Sequence, residues 1–175
     1  PKSEIDQQYW PHNTEVKVLF TLGETLSVSL VNTNLDDHEV TLTQALHSYF
    51  PIGDIHKLSA SGFNGSQYIE FGEGPFQQPA DAVEFTKETD RVYTHLAPQQ
   101  TLHTPHGSIV VSRENSHSAV LWNPWIAKSA RLSRFNNDDY LTMVCLEAAN
   151  VLEDKVVLAP GESHRLTTRI GWLTA

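Results

Sequence analysis

The sequence predicts an all-β fold, an antiparallel sandwich or barrel. At least eight short segments alternate apolar and polar residues with period two, and turn residues separate them. These segments do not alternate with helical patterns, as a parallel βαβ arrangement would require; only residues 126–135 show a weak helical pattern. A chain of 175 residues is long enough to bury a substantial core. We therefore expect a single domain over residues 1–175.

Composition and charge exclude several classes of partner. The chain is 39% hydrophobic and 19% charged, and no apolar run reaches the roughly 18 residues that a membrane span needs. The polar, acidic residues 1–6 do not resemble a signal peptide. A net charge of −9 argues against a nucleic-acid or anionic-membrane surface. The single cysteine, Cys145, excludes an internal disulfide and is compatible with a reducing compartment, so we expect a cytoplasmic protein.

The first predicted strands have the clearest alternation of apolar and polar residues. Residues 16–22 and 26–30 alternate in polarity, and Gly23 and Glu24 between them predict a hairpin turn. The polar segment 32–37 predicts a second turn, which leads into a strand beginning at Val40. We expect these three strands to be consecutive and antiparallel.

The later segments are predicted with less regular connections. Residues 62–79 are rich in glycine, glutamine and proline, which is typical of an irregular loop around a short strand at 68–70. A short segment is expected near residues 56–59. Further strands are predicted at residues 91–95, 108–112, 119–122, 141–147 and 165–172.

His47 is the first candidate for chemistry. In the strand that starts at Val40, the apolar residues fall on one face at period two, and His47 falls on the other face with hydroxyl and small side chains. Tyr49 shares the His47 face. An imidazole that reaches a polar cleft can give or take a proton near neutral pH. The alternative is a structural histidine that is satisfied by a neighbouring hydroxyl or carbonyl group.

Glu147 is the second candidate. It follows six largely apolar residues in segment 141–149, the most apolar strand, which we expect to be central in its sheet with Glu147 at its end. Loss of water raises the pKa of a carboxyl group and makes the carboxylate a better general base. The alternative is a structural glutamate bonded to backbone amides. Ala148 and Ala149 are expected to leave room for a ligand, and Cys145 to be a small buried hydrophobe.

Asp90 and the tryptophans have both structural and functional interpretations. Asp90 precedes a predicted strand, where it could form a turn or pair with Arg91. Trp122 and Trp125 could stack on a sugar or lie in the core.

His103 and His106 are separated by a threonine and a proline, which favours a loop over a metal site. The sequence contains no phosphate-binding glycine loop, nucleophile elbow or zinc motif. Together these patterns exclude the common nucleotide-binding and serine-hydrolase signatures.

Seven motifs, in order along nearly the whole chain, resemble the aldose 1-epimerase superfamily. The resemblance is strongest to its hexose-6-phosphate mutarotase branch, also called glucose-6-phosphate 1-epimerases. The motifs are Trp10-Pro11-His12, Ala45-Leu46-His47-Ser48-Tyr49-Phe50, Thr89-Asp90-Arg91-Val92-Tyr93, Trp122-Asn123-Pro124-Trp125, Asp138-Asp139-Tyr140, Val144-Cys145-Leu146-Glu147 and Pro160-Gly161-Glu162.

The resemblance implies a galactose-mutarotase-like antiparallel β-supersandwich with no metal or organic cofactor. It implies that Glu147 acts as general base, that His47 acts as general acid and that Asp90 binds sugar hydroxyls. The implied partner is a small sugar or sugar phosphate, glucose 6-phosphate first, and the implied reaction interconverts its anomers. Two alternatives stay open: an epimerase of free aldoses such as galactose or glucose, and a non-catalytic carbohydrate-binding or regulatory relative.

The chain departs from the branch in length. Members are substantially longer, so the chain resembles their C-terminal portion, an N-terminally truncated version of the family domain. The branch's phosphate-binding arginines lie in the part without a counterpart here. Lys128, Arg131 and Arg134 could assist a phosphate or form a solvated face beside Asp138 and Asp139. Truncation could also leave open sheet edges and an incomplete cleft, so that the chain dimerises, swaps strands or is inactive while its parent is an enzyme. The oligomeric state and the activity of the chain alone are left open.

Overall fold

The computed structural model describes residues 3–174, so the first two residues of the polar opening segment lie outside it. The described part of the chain is built almost entirely from short strands. They are β1 (Thr14–Leu22), β2 (Leu26–Asn34), β3 (Val40–Leu42), β4 (Gln44–Leu46), β5 (Tyr49–Pro51), β6 (Ser59–Ser61), β7 (Gln67–Glu70), β8 (Glu73–Gln77), β9 (Val83–Glu84), β10 (Thr89–Thr94), β11 (Gln99–Thr104), β12 (Gly107–Glu114), β13 (Ser118–Asn123), β14 (Met143–Asn150), β15 (Val156–Leu158) and β16 (Ser163–Thr174). The helices are α1 (Glu4–Tyr9) and α2 (Trp125–Ser129), with 3-10 turns at Ile55–Lys57, Asp139–Leu141 and Leu152–Asp154.

The strands form two large sheets in which neighbouring strands pair antiparallel. The first sheet has the order β1-β2-β16-β12-β11-β6-β9. The second has the order β4-β14-β13-β10-β7-β8, and β5 also pairs with β14. β3 and β15 form a separate two-stranded sheet. The antiparallel all-β prediction is confirmed.

The main hydrophobic core lies between the two large sheets, because each sheet buries one face of its alternating strands. The first sheet contributes Ala60, Val83, Leu102, Ile109 and Val111. The second sheet contributes Phe50, Tyr93, Ala119, Leu121, Val144 and Leu146.

The predicted third strand is broken into three. Burial alternates along residues 40–50 as the sequence indicates, but β3, β4 and β5 are separate elements. β3 pairs with β15, while β4 and β5 both pair with β14. The second neighbour of β2 is β16, from the other end of the chain. The prediction of three consecutive paired strands is therefore correct for the β1–β2 hairpin and wrong for the third strand.

Several elements differ from the sequence-based prediction for local reasons. α1 was not predicted because it is only six residues long, although the Ser3 and Asp6 side chains form a capping box at its start. β8 contains Gly74 and Pro75 but still pairs with β7 at the sheet edge, where a missing N–H donor is tolerated. The predicted helix at 126–135 is limited to Trp125–Ser129.

β14 is the central element of the second sheet. All eight of its residues are buried, with β13 on one side and β4 and β5 on the other, so its predicted central position is confirmed. The sequence predicts Glu147 at the end of this strand. The structure instead places it in the middle. Val144 and Leu146 face the core. Because side chains alternate, Cys145, Glu147 and Ala149 face the other way, toward what we call the outer face of the second sheet.

β1 is the edge strand of the first sheet and is mostly exposed. Val16, Val18, Phe20 and Leu22 are apolar side chains on this exposed strand. The structure thus shows one open edge of the expected kind; association through it stays a prediction. Within residues 3–174, neither α-helix has the length and apolar character that crossing a bilayer requires.

The alternation of β14 predicts a stability effect that is separate from the chemistry of Glu147. Leu146→Ala removes a fully buried core side chain and should lower the free energy of unfolding by about 2–5 kcal/mol. Val157→Ala, at an exposed valine of β15, is the matched control and should change it by less than about 1 kcal/mol. Urea unfolding followed by tryptophan fluorescence measures both, and a Leu146→Ala effect as small as the control's would contradict this packing.

Candidate active site

His47 and Glu147 meet on the outer face of the second sheet. β4 pairs with β14 so that Ala45 lies opposite Ala149, and β5 pairs so that Tyr49 lies opposite Cys145. His47 follows β4 directly and is thereby held beside the middle of β14. Its Nε2 atom lies 3.2 Å from Glu147 Oε1. Two residues one hundred positions apart are thus placed within proton-transfer distance.

The two groups differ in their exposure to solvent. The Glu147 side chain is 7% exposed, whereas that of His47 is 50% exposed. Burial, together with the negative charge of Asp90, raises the pKa of Glu147 to about 7. Near neutral pH the Glu147 carboxyl group can therefore both accept and release a proton.

An aromatic wall stands beside the pair. The rings of His47 and Tyr49 stack with centroids 4.8 Å apart. Trp122 meets both rings edge-on, at 6.2 Å from His47 and 6.3 Å from Tyr49. Burial raises the pKa of Tyr49, with a further contribution from Glu147, so its hydroxyl keeps its proton at neutral pH. Aromatic rings that are open to solvent next to polar groups can pack against the apolar face of a sugar.

Asp90 completes this side of the outer face. It lies within β10, opposite Trp122 in the β10–β13 register. The prediction that Asp90 precedes the strand is therefore wrong. Its carboxylate lies 3.4 Å from Lys128 Nζ, which is also 3.3 Å from Glu88 and 5.8 Å from the centre of the Trp122 ring.

The alternative pairing of Asp90 with Arg91 is wrong, because adjacent residues of a strand face opposite ways. Arg91 instead donates to Glu70 at 2.9 Å. The Asp90 carboxylate lies on the outer face, where it pairs with Lys128.

The family model described as aldose 1-epimerase matches residues 2–171. The chain belongs to the aldose 1-epimerase family. The match covers nearly the whole sequence, including all of the outer-face residues described above.

Two curated relatives of this aldose 1-epimerase family chain carry the name "Putative glucose-6-phosphate 1-epimerase". The protein from Cenchrus ciliaris is 33% identical over 172 residues, which cover 93% of this chain and 52% of the relative. The protein from Escherichia coli strain K12 is 30% identical over 168 residues, which cover 93% of this chain and 55% of the relative. The chain thus spans about half the length of the curated relatives it matches.

Solved structures agree with the fold of this chain. A Salmonella typhimurium protein described as a "putative mutarotase (YeaD)" superposes with a TM-score of 0.88 at 27% identity, covering 99% of this chain and 58% of that one. A galactose mutarotase-like protein from Lactobacillus casei, 15% identical, gives a TM-score of 0.72 over 98% of this chain and 67% of that one and bears on the fold alone. The galactose-mutarotase-like β-sandwich is therefore confirmed.

Other residues that the sequence singles out lie outside this arrangement. Trp125 packs on the core against Tyr140. His103 is in β11, hydrogen-bonded to Ser61 and Ser108, so the predicted loop begins only after Thr104. These side chains have structural partners and need no role in catalysis.

Cys145 and Ala148 of β14 are buried beside Glu147 in the sequence. Cys145 is fully buried, as expected, and burial keeps its pKa well above the usual range. Ala148 is on the core side of β14, so of the two alanines only Ala149 shares the Glu147 face.

Tyr49 is the outer-face residue to which the sequence assigned no role. It shares the His47 face at a spacing of two, but that spacing alone does not distinguish a site residue from an exposed strand residue. Only the position of Trp122, supplied by β13, shows that Tyr49 forms part of a wall beside the acid/base pair.

Proposed function

We propose that the chain carries the acid/base machinery of a hexose-6-phosphate mutarotase, which interconverts the α and β anomers of glucose 6-phosphate. The observation that carries the proposal is the His47–Glu147 pair, an imidazole 3.2 Å from a buried carboxyl group. Sequence relatives named for this activity support the substrate class. The proposed setting is the cytoplasm, with which the free thiol of Cys145 is compatible.

In the proposed mechanism a sugar binds against the outer face, with its anomeric hydroxyl beside Glu147 and its ring oxygen beside His47. The Glu147 carboxylate takes the proton of the anomeric hydroxyl, and the His47 imidazolium protonates the ring oxygen as the bond from that oxygen to the anomeric carbon breaks. The open aldehyde rotates about its adjoining carbon–carbon bond. Closure on the other face of the carbonyl reverses both proton transfers and gives the second anomer, so neither group is consumed.

The surrounding residues support binding in the same proposal. Tyr49 and Trp122 would pack on the sugar ring, and Asp90 would accept hydrogen bonds from its hydroxyls. Lys128 already lies near two carboxylates, Glu88 and Asp90. It is therefore poorly suited to be the phosphate ligand, and phosphate preference rests on the named relatives rather than on the described residues.

Anomer-exchange NMR on glucose 6-phosphate and on galactose tests the proposal. Faster exchange of glucose 6-phosphate than of galactose, above the uncatalysed rate, is the expected result. Faster exchange of galactose would instead favour an epimerase of free aldoses. Binding of either sugar without any acceleration would favour a non-catalytic carbohydrate-binding protein.

The raised pKa of Glu147 predicts the acidic limb of the pH–rate profile. Glu147 acts as a base only when it is ionised, so kcat/KM should fall as the pH drops through about 7. An unperturbed carboxyl group would place the same limb near pH 4.5. Measuring kcat/KM between pH 4.5 and 8.5, with the uncatalysed rate subtracted, distinguishes the two positions.

Asp90→Asn is the matched variant for this profile. It removes the negative charge that raises the pKa of Glu147 and keeps the shape of the side chain, so the acidic limb should move to lower pH. KM should rise as well, if Asp90 binds sugar hydroxyls. An acidic limb that stays in place or moves to higher pH would contradict the assignment of that limb to Glu147.

A further inference from the structure

Outside the outer face, His12, Asp36 and His38 form a second cluster of potential ligands. One ring nitrogen from each histidine and one oxygen of the aspartate lie within 4.8 Å of one another. His12 Nδ1 is 3.5 Å and His38 Nε2 is 3.8 Å from the same atom, Asp36 Oδ2. His12 comes from the segment before β1, and the other two come from the turn after β2.

The two distances from the histidines to Asp36 are close to those of a metal site. Zinc bonds of about 2.0–2.1 Å in a tetrahedron place neighbouring ligand atoms about 3.3–3.4 Å apart. The two distances to Asp36 need to shorten by only a few tenths of an ångström. His38 is 60% exposed in its turn, so its ring can move toward His12 without disturbing the core.

Two independent features of the histidines favour a ligand. His12 Nδ1 is buried and, among residues 3–174, has no hydrogen-bond partner, which is costly for a ring nitrogen. His38 Nδ1 lies 3.0 Å from Asp37 Oδ1, so a carboxylate orients the ring with Nε2 toward Asp36. A carboxylate on the far nitrogen is the usual outer partner of a metal-binding histidine.

The backbone around the cluster is already held in place. The Asn13 N–H donates to Asp36 Oδ2 at 3.0 Å, and the Leu35 N–H donates to the Asn13 carbonyl at 2.8 Å. The Asp36 N–H in turn donates to Asn34 Oδ1. The two segments therefore bring His12 and Asp36 together before any ion binds, which reduces the ordering cost of binding.

We propose that His12, Asp36 and His38 bind a zinc ion, with water in the fourth position. The ion would join the segment before β1 to the turn after β2. It takes no part in the chemistry of His47 and Glu147 and depends on no part of the proposed function. Its effect would be to stabilise the fold, because an ion that binds only the folded chain shifts the equilibrium toward it.

Zinc titration of the tag-free 175-residue chain by calorimetry tests the site, and Co²⁺ provides a spectroscopic probe. We expect one ion per chain, visible absorption from tetrahedral Co²⁺, and a melting temperature raised by about 5 °C or more at saturating zinc. His12→Gln and His38→Gln should each weaken zinc binding by at least about 10-fold. His38→Gln changes an exposed turn residue, so it keeps the test valid even if His12→Gln folds poorly.

Two controls separate this site from other histidines. His117→Gln, at an exposed loop residue, and His47→Asn should leave zinc affinity unchanged. Stoichiometric zinc binding that survives both His12→Gln and His38→Gln, or that is lost in His47→Asn, would overturn the proposal. So would the absence of measurable zinc binding to the unmodified chain.

Discussion

Glu147→Gln should lower anomer exchange by about 10²–10⁴-fold while leaving sugar affinity nearly unchanged. The substitution keeps the size of the side chain and its contacts beside His47 but removes the group that accepts the anomeric proton. Loss of an interaction that forms only in the transition state lowers kcat and kcat/KM together. NMR exchange rates give turnover, and calorimetry with the same sugar gives affinity.

The stability of Glu147→Gln distinguishes loss of the catalytic base from misfolding. Burial raises the pKa of Glu147 above its unfolded value, so ionisation of Glu147 destabilises the folded chain as pH rises from about 4.5 to about 7. Glu147→Gln removes that penalty and should be no less stable than the parent at pH 8. Glu24→Gln, at the tip of the β1–β2 hairpin, is the matched control and should retain full activity. Parental turnover in Glu147→Gln would show that this carboxylate is not the base.

His47→Asn should lower turnover by a similar factor, about 10²–10⁴-fold. Asparagine can donate a hydrogen bond but cannot deliver a proton to the ring oxygen at neutral pH. The stacking of His47 on Tyr49 is also lost, so a small rise in KM is expected beside the large fall in kcat. The same exchange assay on glucose 6-phosphate and galactose measures both parameters.

Two comparisons complete the His47 experiment. His117→Asn changes an exposed histidine in the loop before β13 and should leave the rate unchanged. The double variant with Glu147→Gln should be little slower than either single variant, because the acid and the base act in one step. If His47→Asn turned over at the parental rate while Glu147→Gln did not, the proton donor would have to be another group, and Tyr49 is the nearest candidate on the outer face.

A large part of the fold could be predicted from the sequence because its cause is local. The alternation of apolar and polar side chains at residues 40–50 appears directly as alternating burial. The Gly23–Glu24 turn lies between β1 and β2, which pair in the expected hairpin with Leu22 opposite Leu26. The largely apolar β14 is central, as its composition indicates.

The elements that were missed depend on partners far away in the chain. β15 is three residues long and pairs with β3, more than one hundred positions earlier. One continuous sequence pattern is divided into two strands, β4 and β5. Both strands pair with β14, and His47 lies between them. No local propensity encodes such pairings, since they are stabilised only once the sheet has assembled.

The sequence by itself determined the all-β class, the face on which His47 lies and the family motifs that single out His47, Asp90 and Glu147. Only the tertiary structure decided the 3.2 Å contact of His47 with Glu147, the mid-strand position of Glu147 and the pairing of Asp90 with Lys128. It also revealed Tyr49 and the cluster of His12, Asp36 and His38. The physical reason is that side-chain period is set by neighbouring residues, whereas distance and burial are set by strands that meet from opposite ends of the chain.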